Sequence, residues 1–129
     1  MAQATLVSEQ IQDGQRVISE LRRRKFDLTV AAWLRAGDDG LWKLYIGSKV
    51  VDDQGLRPAY EVINETIRSL ADCWVDPFEV MVIGSADPVA IDLVSRLFNY
   101  TGKIPKRFSG GRLGETYFEE GYIYPPPAP

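Results

Sequence analysis

The sequence predicts an α+β fold in which a mixed sheet of four or five strands packs with three helices. Three observations support it: apolar residues recur at helical spacing in three segments, they alternate with period two in an adjacent pair of segments, and a near-continuous apolar run lies between two of the helical segments. A chain of 129 residues can bury roughly two thirds of its unfolded surface. We therefore expect one domain over 1–129, with a flexible lead at 1–7 and an extended proline-rich tail at 125–129.

The first helix is predicted to begin near Ser8, whose hydroxyl suits the free amides of a helix start, and to run to about Lys25. Its apolar residues form one narrow stripe, so it has a single face to bury. The period changes to two at Phe26, which predicts a strand, and a second strand is expected at 41–51 after a turn rich in Gly and Asp. Pairing Leu34 with Trp42 keeps the apolar sets of this antiparallel hairpin on one side.

Pro58 fits the first turn of a second helix, whose broad apolar face extends to Trp74. Pro77 ends this helix, and the apolar run at 78–84 predicts a central strand that is covered on both faces. Asp87 followed by Pro88 predicts the start of a third helix, which Gly102 terminates.

The segment after Gly102 is rich in glycine and cations, and we expect a poorly regular basic loop at 103–112 with at most a short strand near Phe108. A last strand is predicted at 117–124. Two strand-helix-strand units thus follow the hairpin, and such units are typical of parallel crossovers.

Composition excludes several classes of enzyme. The chain has no histidine, which rules out serine and cysteine nucleophiles activated by imidazole within this chain. The lone Cys73 cannot form an internal disulfide, a structural zinc site or an iron-sulfur cluster. No segment resembles an export signal, and no apolar run approaches the roughly 20 residues of a membrane span. We expect a cytoplasmic domain with no cofactor, no metal and no membrane insertion.

Carboxylates leave one enzymatic alternative, a magnesium-dependent phosphodiesterase that would use Asp52 or Asp53 with Glu79. The pattern is incomplete, because Met81 stands where such a site would need a lysine. Turn formation explains Asp52 and Asp53 without a metal, and helix capping explains Asp87 without a bound phosphate.

A second alternative is a nucleic-acid or anion-binding module on the basic loop. The candidate binding residues are Lys103, Lys106, Arg107 and Arg112. The formal net charge of −3 and the isoelectric point near 5.0 argue against a dedicated nucleic-acid domain, so a solvated loop is the favoured interpretation.

Trp33 and Tyr45 form the candidate association surface, since the predicted register places both on the hairpin face opposite the main apolar stripe. Either the first helix or a second copy of the protein would have to cover them. The leading hypothesis is therefore a small non-catalytic binding or protein-interaction domain, with a homodimer as one form of that association.

Overall fold

The computed structural model describes residues 6, 8–37, 40–97 and 105–125, and these form a mixed five-stranded sheet with four α-helices. The predicted α+β fold is confirmed. The elements in chain order are α1 (Ser8–Arg23), β1 (Leu28–Ala36), β2 (Trp42–Ser48), α2 (Lys49–Gln54), α3 (Leu56–Ser69), a 3-10 turn (Pro77–Glu79), β3 (Val80–Gly84), α4 (Pro88–Leu97), β4 (Lys106–Leu113) and β5 (Thr116–Ile123). Within the described residues no helix has the length and apolar character to cross a bilayer.

The strand order across the sheet is β3-β2-β1-β5-β4. The central strand β1 is antiparallel to both β2 and β5, whereas β3 is parallel to β2 and β4 is antiparallel to β5. Since β2, β3 and β5 consequently run in the same direction, the β2-α3-β3 crossover connects parallel strands, as expected. The strand that follows α4 is β4, which runs antiparallel to β3, and β5 then returns in the expected parallel direction. The second crossover spans the sheet, so the last two strands lie on the far side of β1.

Helices cover both faces of the sheet and create two apolar cores. On the first face, α1 and α3 pack on a core whose largest member is the fully buried Trp33. On the second face, α4 packs through Ala90 and Leu93 on alternate residues of β1 and on Phe118. In the part of the chain that the structure describes, α4 is the one helix on this second face, and Ile91 on its outer side remains 53% exposed.

Polar side chains cap the starts of two helices, α2 and α4. The carboxylate of Asp87 accepts a hydrogen bond from the Val89 amide at 2.9 Å, as predicted for the start of α4. Ser48 accepts from the Val50 amide at 3.0 Å and donates to the carbonyl of Asp27 at 2.7 Å. Because Ser48 caps a helix, β2 ends there, and the residues predicted to extend the strand to 51 form α2 instead.

The predicted hairpin register is wrong by one residue. Leu34 lies opposite Lys43, and Trp42 lies opposite Arg35. Side chains alternate between the two faces of a strand. A shift of one residue therefore places each side chain of β2 on the face opposite to the one predicted from its pairing with β1. Trp33 therefore shares a core with Trp42, not a face with Tyr45.

Two further elements differ from prediction. The strand β3 was expected to be central, but it is an edge strand, whose one partner among the described strands is β2. The segment expected to be a basic loop at 103–112 contains the eight-residue strand β4, which forms the other edge. The predicted lead at 1–7 and tail at 125–129 lie outside the described residues except for Leu6 and Pro125, as does Gly102.

Candidate interaction surfaces

The segment 70–79, which joins α3 to β3, is termed here the aromatic loop, and it exposes two large rings. Phe78 is 94% exposed and Trp74 is 64% exposed, although the sequence predicted a buried helix face for Trp74 and a covered strand for Phe78. The difference arises because α3 ends at Ser69 and the chain turns at Asp72, whose φ is +52°. The exposure of these two aromatic side chains is therefore not predictable from the apolar pattern of the sequence.

Contacts with α1 hold the backbone of the aromatic loop in place. The buried carboxylate of Asp13 accepts a hydrogen bond from the Trp74 amide at 2.7 Å, and Arg16 donates to the carbonyl of Ala71 at 2.9 Å. Arg16 also pairs with Asp13. Burial opposes ionisation of Asp13, but hydrogen bonds from Arg16 and the Trp74 amide outweigh it and lower the pKa of this carboxyl.

The second half of the loop fixes itself through a capping box. Asp76 accepts from the Phe78 amide at 2.9 Å, while Glu79 accepts from the Asp76 amide at 3.3 Å. Val75, between the two exposed rings, is anchored in the first core with 2% exposure. The rings thus project from a segment that is tied at both ends and in the middle.

The surroundings of these rings are concave and acidic. Residues 72–77 line a shallow depression of about 510 Å³, and a smaller hollow of about 100 Å³ lies beside Phe78 against Trp42. Three carboxylates occur in the loop, those of Asp72, Asp76 and Glu79, and burial raises the pKa of Glu79. An aromatic surface next to carboxylates can bind a cationic side chain by cation–π and ionic contacts.

The two residues of the predicted association surface lie on opposite faces. Trp33 is fully buried beneath α1, so the first helix is what covers it. Its indole N–H donates to the Tyr124 hydroxyl at 3.0 Å, and that hydroxyl donates to the carbonyl of Ile11 in α1 at 2.6 Å. Burial raises the pKa of Tyr124, which keeps the hydroxyl protonated for this role.

Tyr45 lies on the second face, where it packs edge-on against Phe118 with ring centroids 5.6 Å apart. It also lines an open cleft of about 580 Å³ at the end of the hairpin, together with Lys43, Glu115 and Tyr117. Tyr45 is only partly buried, so it can contribute to a surface, whereas Trp33 cannot.

Of the predicted basic residues, Lys106, Arg107 and Arg112 lie on β4, and Lys103 lies outside the described residues. Glu119 and Glu120, which follow them on β5, both pair with Arg35. Strand order places β4 at the sheet edge opposite β3 and the aromatic loop. Arg112 and Glu79 are therefore at opposite sides of the molecule and do not share a cleft.

The carboxylates of the phosphodiesterase alternative are not brought together. Glu79 precedes the first residue of β3, while Asp52 binds the turn after its last residue. Asp52 accepts from the side chain and amide of Ser85 and from the amide of Ala86, and these hydrogen bonds lower its pKa. Among the described residues no group of three or more acidic, histidine or cysteine side chains has a metal-site arrangement.

Comparisons with known proteins found no relative of this chain. A scan of protein-family models, a search of curated proteins and a search of solved structures each gave no match.

Proposed function

We propose that this protein is a non-catalytic protein-interaction domain that binds a cationic segment of a partner through the aromatic loop. The observation that carries the proposal is the 94% exposure of Phe78 on a backbone fixed by hydrogen bonds. Exposing a large ring to water costs stability relative to burying it, about 1.5 to 3 kcal/mol for a Phe side chain. A rigid ring held in water is typical of an anchor residue that a partner covers.

The charge of the loop indicates the chemistry of the partner. Asp72, Asp76 and Glu79 lie in the same loop as the two rings, and none of these carboxylates forms a salt bridge within the described part of the chain. A lysine or arginine side chain would stack its cation on Trp74 or Phe78 and reach a carboxylate at the same time. A basic, partly apolar peptide segment therefore suits this surface better than an acidic one.

Binding is favoured over catalysis on chemical grounds. The chain lacks imidazole, and its carboxylates are engaged in capping a turn, as for Asp52, or in fixing the aromatic loop, as for Asp13 and Glu79. These are structural uses, and the Glu79 carboxylate, which accepts one backbone hydrogen bond at 3.3 Å, keeps acceptor capacity for a cation of the partner. The alternative occupant of the surface is a second copy of the chain, which the experiment below distinguishes.

A random peptide library displayed on phage tests the proposal. We expect selection against the wild-type protein to enrich peptides that contain Lys or Arg beside an apolar residue. A labelled peptide from this pool should bind Phe78→Ala and Trp74→Ala at least about tenfold more weakly, the equivalent of about 1.4 kcal/mol. Neither change should unfold the protein, because surface substitutions usually alter stability by less than about 0.5 kcal/mol.

Ile91→Ala is the matched control, since Ile91 is also an exposed apolar residue but lies on α4, on the second face of the sheet. Its affinity for the peptide should equal that of the wild type. Selected peptides that are acidic, or that bind Phe78→Ala as tightly as the wild type, would contradict the proposal. If sedimentation showed a dimer for the wild-type protein and a monomer for Phe78→Ala, the occupant of the surface would be a second copy of the chain. That result would also overturn the proposal.

A further inference from the structure

The edge strand β4 and the end of α4 carry a second charged region, which lies on both faces of this sheet edge and is independent of the aromatic loop. Its cations are Arg96, Lys106, Arg107 and Arg112. In the part of the chain that the structure describes, the three arginines form no salt bridge. Each guanidinium therefore lacks a carboxylate partner there.

The structure provides a seat for Arg96. Its guanidinium carbon lies 4.5 Å from the centroid of the Phe108 ring, and the ring itself lies over Gly121. A Cβ at Gly111 would come within 2.7 Å of an Arg96 terminal nitrogen, so the absence of a side chain there makes room for the guanidinium. Lys106 donates to the carbonyl of Arg96 at 2.8 Å, which places a second cation beside it.

Arg107 is held in the same manner on the other face of the sheet. Its guanidinium carbon lies 4.8 Å from the centroid of the Tyr122 ring. Arg112 makes only a long hydrogen bond of 3.4 Å, to the carbonyl of Glu115. Stacking orients a guanidinium and leaves its in-plane N–H donors available for a planar or tetrahedral oxyanion.

We propose that this edge of the sheet binds the phosphate backbone of a nucleic acid without reading its sequence. Phe108 and Tyr122 are already covered by Arg96 and Arg107, so these two rings offer no free surface for base stacking, and phosphate contacts are what the seated arginines provide. A membrane surface fits less well, because the exposed aromatic anchors Trp74 and Phe78 lie beyond the opposite edge.

Fluorescence anisotropy with labelled 20-nucleotide single-stranded RNA and DNA, and with the corresponding duplex DNA, tests this proposal at several salt concentrations. We expect binding at low salt, with a log–log salt slope that falls by about 0.7 for each contributing arginine removed in the case of single strands. Arg96→Gln and Arg107→Gln should each weaken binding by at least about threefold, and the double variant by about tenfold or more.

Gly111→Ala provides a test in which no charge is lost. The added methyl group displaces the flexible end of Arg96 from its seat, so affinity should fall while net charge and fold are retained. Arg57→Gln is the charge-matched control, because Arg57 is an exposed cation on α3, remote in sequence from both α4 and β4. It should reduce affinity less than either Arg96→Gln or Arg107→Gln.

Absence of binding at low salt for all three nucleic acids would overturn the proposal. Equal losses for Arg57→Gln and Arg107→Gln would also overturn it, because they would indicate a diffuse charge effect with no site. The last measurement uses vesicles of phosphatidylcholine with and without phosphatidylserine. Binding to the anionic vesicles but to no nucleic acid would show that this edge of the sheet binds a membrane surface and would refute the proposal.

Discussion

Gly14 lies at a close contact between α1 and the residues Trp33 and Tyr124, and its replacement by alanine tests how that helix is docked. An ideal Cβ at this position would overlap the Tyr124 hydroxyl and lie 2.9 Å from the indole nitrogen of Trp33. Both atoms belong to the hydrogen-bonded chain that connects Trp33, Tyr124 and the Ile11 carbonyl. The methyl group can fit only if α1 moves away or the hydroxyl leaves its place.

The magnitude follows from two opposing terms. Alanine favours a helix over glycine by about 0.5 to 1 kcal/mol. Against this, overpacking costs about 1 to 3 kcal/mol, and disrupting two buried hydrogen bonds costs about 1 kcal/mol each. We expect Gly14→Ala to lower the free energy of unfolding by about 2 to 4.5 kcal/mol, despite its better helix propensity.

Urea denaturation followed by tryptophan fluorescence measures this change, since Trp33 reports on the same contact. Gln12→Ala, at an exposed position of α1, should change stability by less than about 0.5 kcal/mol. In a Tyr124→Phe background the clash with the hydroxyl is removed, so Gly14→Ala should cost less there, with a coupling of about 0.5 to 3 kcal/mol. A Gly14→Ala protein at least as stable as the wild type, or one with no coupling to Tyr124→Phe, would refute the close-packing argument.

Three further changes test other contacts. Asp52→Asn should reduce the loss of stability that the protein shows as the pH falls from neutral to acid. The reason is that hydrogen bonds from Ser85 hold the pKa of Asp52 in the folded protein below its unfolded value of about 3.9. The stabilisation from Asp52 is present above that value and is lost as the pH falls through the folded pKa. Thermal unfolding from pH 6 to pH 2 measures it, and an equal fall in melting temperature for the wild type and the variant would contradict the prediction. Ser48→Ala should cost about 0.5 to 2 kcal/mol in urea denaturation by removing a helix cap, against a near-neutral Ser95→Ala. Gly121→Ala should lower the melting temperature by forcing the Phe108 ring off β5, whereas an unchanged value would show that the ring has another place.

The fold class could be predicted because local patterns and final structure agree for most elements. Helix starts at Ser8 and Pro88, the hairpin, and the last strand follow from spacing and capping alone. The hairpin register could not be predicted, since β1 is apolar on both faces, with Trp33 on one and Leu34 on the other. Either register buries apolar side chains, so alternation does not discriminate between them.

The candidate surfaces were harder to predict than the fold. The basic residues of β4 were identified, but the glycine content of this segment suggested a loop. The position of Arg96 depends on a contact with Gly111, which lies 15 residues later in the sequence. Phe78 was missed because apolar runs predict burial. The one available signal was Asp76 followed by Pro77 and Glu79, which is the pattern of a capping box and of a new helical turn before β3.

Opposite charges at the two margins of the sheet give the protein an electric dipole along the direction in which the strands hydrogen-bond. Four strand spacings of about 4.8 Å separate β3 from β4, a distance greater than the Debye length of about 8 Å at physiological ionic strength. Under the two proposals made above, each margin would attract its own class of molecule with little cancellation by the other. An approaching polyanion and an approaching polycation would be turned toward different sides before any contact forms, so both could be held at once.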